Sequence, residues 1–174
     1  MGDALLVCPV VEEGARSRKV TLPKGRWYNF WNDAVIEGSQ LVTIDSPLEQ
    51  IPLLVRAGSI LSMEENKQLI LHIYPPIEGS SQTVLYSDAG DGYGESRLDK
   101  FDMVRSENSL EITRTEEGKY LFPYTSVQLH LHGLKPQQAW IDDIEVACHG
   151  QILECQRFQK VSIQKCYEME AAKH

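Results

Sequence analysis

Positive charge is in short supply in this chain. Seventeen Lys and Arg stand against 25 Asp and Glu, for a formal net charge of −8, and no basic patch is visible. Nucleic acid and anionic membrane surfaces both need such a patch, so neither is an expected partner. Long apolar runs are missing as well: none approaches the ~18 residues of a membrane-spanning helix. The start, Met1-Gly2-Asp3, lacks the basic segment and apolar core of a signal peptide. Leu6 stands where a myristoylation signal needs Ser or Thr. Cysteine is sparse, with Cys8, Cys148, Cys155 and Cys166 forming no C-x-x-C pair. Without an export signal the expectation is reduced thiols and a cytoplasmic location. A zinc site from Cys148, His149 and Cys155 would need a fourth ligand at a regular spacing, and none is offered. There is no P-loop, dinucleotide fingerprint or nucleophile–base–orienter set, so no cofactor is expected. Sustained helical periodicity and fixed-period repeats are also absent.

What remains is a succession of short strands punctuated by turns. Ala4–Val11 is a continuous apolar run whose length suits a fully buried strand. It opens almost at residue 1 with nothing upstream to cover it, which suggests a piece of something larger. Ser17–Leu22, Val35–Glu37 and Leu41–Ile44 follow as strands, and Ile51–Leu61 is a second dense apolar run. Arg56 lies inside that run. A buried Arg needs a carboxylate or several carbonyls, so either an ion pair with Asp3, Asp45 or Glu49, or a contact across a domain boundary, is expected. Ser62–Gln68 is polar and is the best candidate linker. Beyond it the strand pattern restarts at Leu69–Tyr74 and Gln82–Tyr86. A hairpin is expected from Leu110–Arg114 to Lys119–Tyr124 around Glu116-Glu117-Gly118, with further strands to Ile163. Gln164–Lys173 is the one stretch able to form a short C-terminal helix. The fold class is all-β, as two consecutive antiparallel β-sandwich modules over residues 1–66 and 67–174.

Leu22–Trp31 organises the first module. After the turn signal Pro23-Lys24-Gly25 come Trp27, Tyr28, Phe30 and Trp31, four of the fourteen aromatic residues (three Trp, seven Tyr, four Phe). In a strand, Trp27 and Trp31 point to one face and Tyr28 and Phe30 to the other. Both faces then need a cover: an opposing sheet, a neighbouring domain or a ligand.

Three segments carry a resemblance. Gly2–Val10, Leu22–Trp31 and Ile51–Leu61, in that order and at those separations, resemble the region just after the catalytic barrel of family 31 glycoside hydrolases, the α-glucosidases and α-xylosidases. Leu85–Tyr93 resembles the turn that opens that family's distal module, where the usual run is Leu-Tyr-Glu-Asp-Asp-Gly-Asp; Ser87 and Ala89 depart from it. The resemblance implies a proximal and a distal β-sandwich. It also implies a preceding (β/α)8 barrel as the partner that covers the aromatic strand, with an α-glucan as a further ligand. Barrel active sites lie at the carboxyl ends of the strands, so the resemblance places the chemistry outside this chain.

Candidate sites within the chain are weighed accordingly. A retaining glycosidase needs two carboxyls about 5–5.5 Å apart in a pocket. Trp140-Ile141-Asp142-Asp143-Ile144-Glu145 imitates the family's Trp-x-Asp-Met-Asn-Glu nucleophile run but lacks the Met-Asn pair, and Asp142-Asp143 fits a solvated turn. His130 and His132 share a strand face, which suits an ordinary polar face better than a two-His metal site. Asp88 and Asp91 could hold Ca²⁺, but Gly90 and Gly92 break the spacing, so an Asp-stabilised turn is favoured. Trp27, Tyr28, Phe30, Trp31 and Arg56 are the barrel-docking candidates, and those aromatics could also stack on sugar rings. Tyr86 and Tyr93, flanking the distal turn, are better placed for exposure. Three roles follow: a non-catalytic buttress that hydrolyses nothing alone, a free-standing carbohydrate-binding module, or a protein-interaction module. Ala4–Val11 and one face of Trp27–Trp31 are expected to be exposed in the isolated chain and to drive self-association.

Overall fold

The computed structural model describes residues 3–12, 14–90, 94–164 and 167–168. All regular structure among them is β-strand. The chain divides into two compact units, the first running to Ala57 and the second starting at Gly58. That division falls ahead of the boundary expected after residue 66.

The first unit contains β1 (Leu5–Val7), β2 (Ser17–Thr21), β3 (Arg26–Asn29), β4 (Val35–Glu37), β5 (Leu41–Asp45) and β6 (Leu53–Arg56). A four-stranded sheet, in the order β1-β6-β3-β4, faces the pair β2-β5. Alternation selects the core. Leu6, Leu54, Trp27 and Ile36 come from one face of the larger sheet and meet Val20, Val42 and Ile44 from the pair, with Cys8 and Leu22 completing the cluster. The apolar run Ala4–Val11 yields only a three-residue strand. Cys8 N–H still reaches Pro52 O at 2.9 Å, but Pro9 has no N–H with which to continue the ladder. Gly38 closes the turn behind β3. A Cβ there would lie 1.9 Å from Pro23 O, and its N–H donates to Gly25 O.

The second unit contains β7 (Ser59–Glu65), β8 (Gln68–Tyr74), β9 (Gly79–Asp88), β10 (Ser96–Ser106), β11 (Ser109–Gly118), β12 (Ser126–Leu131), β13 (Leu134–Lys135), β14 (Gln138–Ile141), β15 (Ile144–Val146), β16 (Ile152–Cys155), β17 (Lys160–Gln164) and β18 (Tyr167–Glu168). A six-stranded sheet, β15-β14-β17-β11-β10-β9, packs on a four-stranded one, β16-β12-β8-β7. Their inner faces share one apolar core: Leu69, Leu71, Ile73, Val127, Leu129 and Leu131 from the smaller sheet meet Phe101, Met103, Leu110, Ile112, Val161 and Ile163 from the larger. This is a sandwich, as expected.

Its pairing is not wholly antiparallel, because β8 and β12 run parallel. Parallel neighbours need a crossover, which here runs through β9, β10 and β11 of the opposite sheet. The linker expected over Ser62–Gln68 is instead the tip of the β7/β8 hairpin, with Glu65 paired to Gln68. Asn66 and Lys67 both have positive φ, 51° and 63°, which gives the mirror-image turn whose twist suits paired strands. The hairpin expected around Glu116-Glu117-Gly118 is also displaced. β11 runs straight through those residues, and its partner is β10, with Ser106 opposite Ser109. A Cβ at Gly118 would lie 2.2 Å from Ser96 O, so the chain needs glycine where it leaves this ladder. Of the stretch expected to be helical, Gln164 ends β17 and Tyr167–Glu168 forms β18; the remainder lies outside the described residues.

Candidate docking surface

The aromatic stretch splits into two parts with different surroundings. Trp27 and Tyr28, adjacent on β3 and pointing to opposite faces, are 4% and 3% exposed. Trp27 sits in the core of the first unit and its indole donates to Pro23 O at 3.1 Å. Both rings are therefore enclosed within the chain, which corrects the expectation that one strand face lies bare. β3 ends at Asn29, and Phe30 and Trp31 belong to the turn that follows. Asn29 Oδ1 accepts from Trp31 N–H at 2.9 Å, and Asn32 Oδ1 accepts from Ala34 N–H at 3.0 Å. These are the local side-chain bonds that make Asn a turn residue.

The turn presents Trp31. Its indole donates to Ile51 O at 2.9 Å, and its ring meets Phe30 edge-on at 5.2 Å. Trp31 is thus held rigidly while remaining 46% exposed. Phe30 N–H donates to Leu53 O, and Val7 pairs with Leu53 in the ladder. Val7, Trp31 and Ile51 are all exposed and gather where β6 begins. From Ala4 to Val11 exposure is mixed: Val7 and Val11 are exposed, Leu5 and Leu6 half-buried, and Cys8 buried.

Arg56 is exposed on β6, not buried. Its guanidinium lies over Gly25 and donates to Lys24 O at 3.4 Å, so a backbone carbonyl takes the place expected for a carboxylate. Beside this unit's edge lie two grooves. One, of about 560 Å³, is lined by Glu12, Arg16, Arg18, Lys19 and Thr43; the other, of about 340 Å³, by Pro9, Leu48, Gln50 and Ile51 among others.

Residues 1–61 match the glycosyl hydrolase family 31 C-terminal domain. The chain belongs to the C-terminal region of glycoside hydrolase family 31. It is 29% identical over 132 residues to α-glucosidase 2 of Bacillus thermoamyloliquefaciens, covering 69% of this chain and 17% of that enzyme. A probable α/β-glucosidase of Arthroderma benhamiae is 34% identical over 133 residues, covering 70% of this chain and 15% of the relative. The family 31 dextranase of Flavobacterium johnsoniae, complexed with glucose, shares the fold with a TM-score of 0.75 at 24% identity, over 92% of this chain and 26% of that one. The chain therefore spans less than a fifth of the length of those two curated relatives.

Elsewhere in this family 31 region the remaining candidates resolve into local structure. Asp142 and Asp143 form the β14/β15 turn, with φ of 48° and 66°. Asp142 Oδ1 accepts the Gln159 and Lys160 amides, each at 2.8 Å, so the carboxylate is fixing neighbouring backbone. Asp88 Oδ1 accepts Gly90 N–H at 2.9 Å, the Asp-stabilised turn; Asp91 lies outside the described residues. Tyr86 is 58% exposed on β9, and Tyr93 lies outside the described residues. Among the described residues no group of three or more His, Cys, Asp or Glu is placed to hold a metal ion.

Two constellations escape the sequence pattern. Asp99 is 1% exposed and receives two bonds from Arg97, at 2.9 and 3.0 Å, and two from Arg114, at 3.0 and 2.7 Å. Glu116 pairs with Arg97 and Arg157, and Arg157 above all holds its carboxyl below the usual range. Phe122 lies beneath the guanidinium of Arg114 at 4.5 Å and that of Arg97 at 5.4 Å. His72 joins His130 and His132 through the parallel β8/β12 register. The alternation within Leu69–Tyr74 puts His72 opposite its leucines, but only the register brings it to the other two.

Proposed function

We propose that this chain is the non-catalytic C-terminal β-region of an α-glucosidase-like glycoside hydrolase, and that it buttresses the enzyme's catalytic (β/α)8 barrel. The observation that carries this reading is Trp31. A tryptophan bonded through its indole and braced by a neighbouring ring, yet left half-exposed beside Val7 and Ile51, has the form of an interface anchor. Tryptophan supplies a large apolar contact at little further entropic cost when its ring is already fixed. Trp27 and Tyr28 act behind the surface, as the packed layer that holds the turn in place. Arg56, exposed at the same sheet, is a polar contact at the rim.

In this reading the chain alone hydrolyses no glycoside, and its exposed anchor drives self-association when the barrel is absent. Release of a chromophore from an aryl α-glucoside by the purified chain tests the first point, and turnover above background defeats it. Light scattering over a range of concentrations tests the second: mass rises with concentration for the wild type and stays monomeric for Trp31→Arg. A free-standing glycan-binding role rests on the exposed rings of Trp31 and Tyr86. It requires quenching of tryptophan fluorescence by maltooligosaccharide, and a flat titration at millimolar sugar rules it out.

A further inference from the structure

Arg16, Arg18 and Lys19 place three cations within four residues of a chain whose net charge is −8. That charge is unevenly divided. Residues 1–57 carry six Lys and Arg against seven Asp and Glu, and the remaining residues carry eleven against eighteen. Residues 1–57 are therefore nearly neutral, and half of their cations stand together where β2 begins. Alternation separates two of them: Lys19 faces outward with Ser17, while Arg18 shares the inward side with Val20, which packs on the core. At the end of that core the Arg18 guanidinium donates to Pro9 O and is held there. Arg16 and Lys19 are exposed, and neither forms an ion pair among the described residues.

These three side chains line the groove of about 560 Å³ beside β2, a strand that pairs with β5 alone among the described residues. Glu12 is the one acid lining it among those residues, and Val10 and Val11 supply its apolar wall. The groove leads toward the anchor. Val10, Glu12 and Ala15 also line the second groove, which reaches Ile51, and Ile51 O accepts the Trp31 indole. A surface that begins on Trp31, Val7 and Ile51 thus continues, within the first unit, to three cations.

From this arrangement we propose, resting on the buttressing role above, that the groove takes an acidic segment of the catalytic barrel. Its Asp or Glu carboxylates would lie against Arg16, Arg18 and Lys19. Arg18, steadied by Pro9 O, presents a planar fork that suits a carboxylate, while Arg16 and Lys19 add field at the surface. Charges at the rim of an interface speed encounter more than they hold the complex, and salt screens them. Trp31 has the complementary part, since a fixed apolar anchor acts mainly on dissociation. The competing role for these cations is to guard the bare edge of β2 against another strand. Such a guard needs no acidic partner, and that separates the two roles.

The test is the rate at which the full chain associates with a family 31 α-glucosidase deleted of its own C-terminal region, at about 0.1 M and about 0.5 M salt. The wild-type association rate should fall about fivefold as salt rises. Arg16→Glu/Lys19→Glu should be at least that slow at the lower salt, with dissociation within about twofold of wild type. Trp31→Arg should instead speed dissociation and keep the salt dependence. Trp31-dependent binding whose association rate ignores both salt and the double substitution overturns the groove and leaves the anchor standing. No association at all overturns both. Should the deleted enzyme fail to fold, a fluorescein-labelled hexaglutamate peptide decides with the full chain alone. Saturable anisotropy at the lower salt, lost in Arg16→Glu/Lys19→Glu and kept in Trp31→Arg, is the expected result. No binding, or equal binding by the double variant, contradicts it.

Discussion

Asp99 shows what the second unit asks of a single side chain. Two guanidiniums, Arg97 and Arg114, converge on it in nearly full burial. Removing the carboxylate leaves both cations without their main counter-charge in a place water does not reach. Asp99→Asn is therefore expected to cost about 3–5 kcal/mol, read as the shift in urea midpoint of the second unit. The exposed pair Lys100–Glu117 on the same two strands provides the contrast, since Glu117→Gln should change stability by less than about 1 kcal/mol. Equal losses at the two sites would show that burial is not what matters. Cys155 makes the opposite kind of statement. Burial first, and then the charge of Asp142, push its thiol up to about 11. At pH 8 only about one molecule in a thousand then carries the thiolate that alkylating agents attack. Iodoacetamide labelling of Cys155, followed by peptide mass mapping, should be negligible in the folded chain at pH 8. It should climb about tenfold per pH unit toward pH 11, and recover at pH 8 once urea unfolds the chain. Rapid labelling of the folded protein at pH 8 would contradict this.

Elements were legible in the sequence where one kind of residue filled one face. β3 is such a case: Trp27 and Tyr28 announce a strand covered on both sides, and both are buried. β10 is the reverse. Its inward positions include Arg97 and Asp99 as well as Phe101 and Met103, so the apolar alternation that marks a strand is cancelled by charges that neutralise one another in space. Nothing local reveals that Arg114, on the next strand, completes the cluster. The β7/β8 hairpin looked like a linker because its tip, from Ser62 to Lys67, projects into solvent. Its turn is also poorly chosen, as Lys67 sits at φ 63° with a full side chain. Lys67→Gly creates the Asn-Gly pair that such a turn favours and should raise stability by about 1 kcal/mol, the left-handed strain relieved less the entropy glycine brings to the unfolded chain. A fall in thermal midpoint would mean that the Lys67 side chain holds the hairpin. The two tryptophans divide in the same way. Trp27→Ala should cost about 3–5 kcal/mol as a core truncation, while Trp31→Ala, at an exposed turn, should stay near the ±0.5 kcal/mol of a surface change. Denaturation of the two variants side by side checks this, and comparable losses would place Trp31 in the structural core.

At the scale of the whole molecule the order of the motifs, more than any single residue, pointed to family 31, and that part was legible in residues 1–61. Where the exposed surface would lie was not. The sequence pattern placed it along a bare face of the aromatic strand, but the fold encloses that strand and moves the exposure to the turn beyond it, because Asn29 and Asn32 bend the chain there. The proposed buttressing role therefore rests on Trp31 with Val7 and Ile51. It is tested most directly by restoring a family 31 α-glucosidase whose own C-terminal region has been deleted, with hydrolysis of an aryl α-glucoside as the readout. Adding this chain should restore activity, and adding its Trp31→Arg form should restore at most a tenth as much, while either form alone hydrolyses nothing. Equal restoration by the two forms, or turnover by the chain alone, would contradict it.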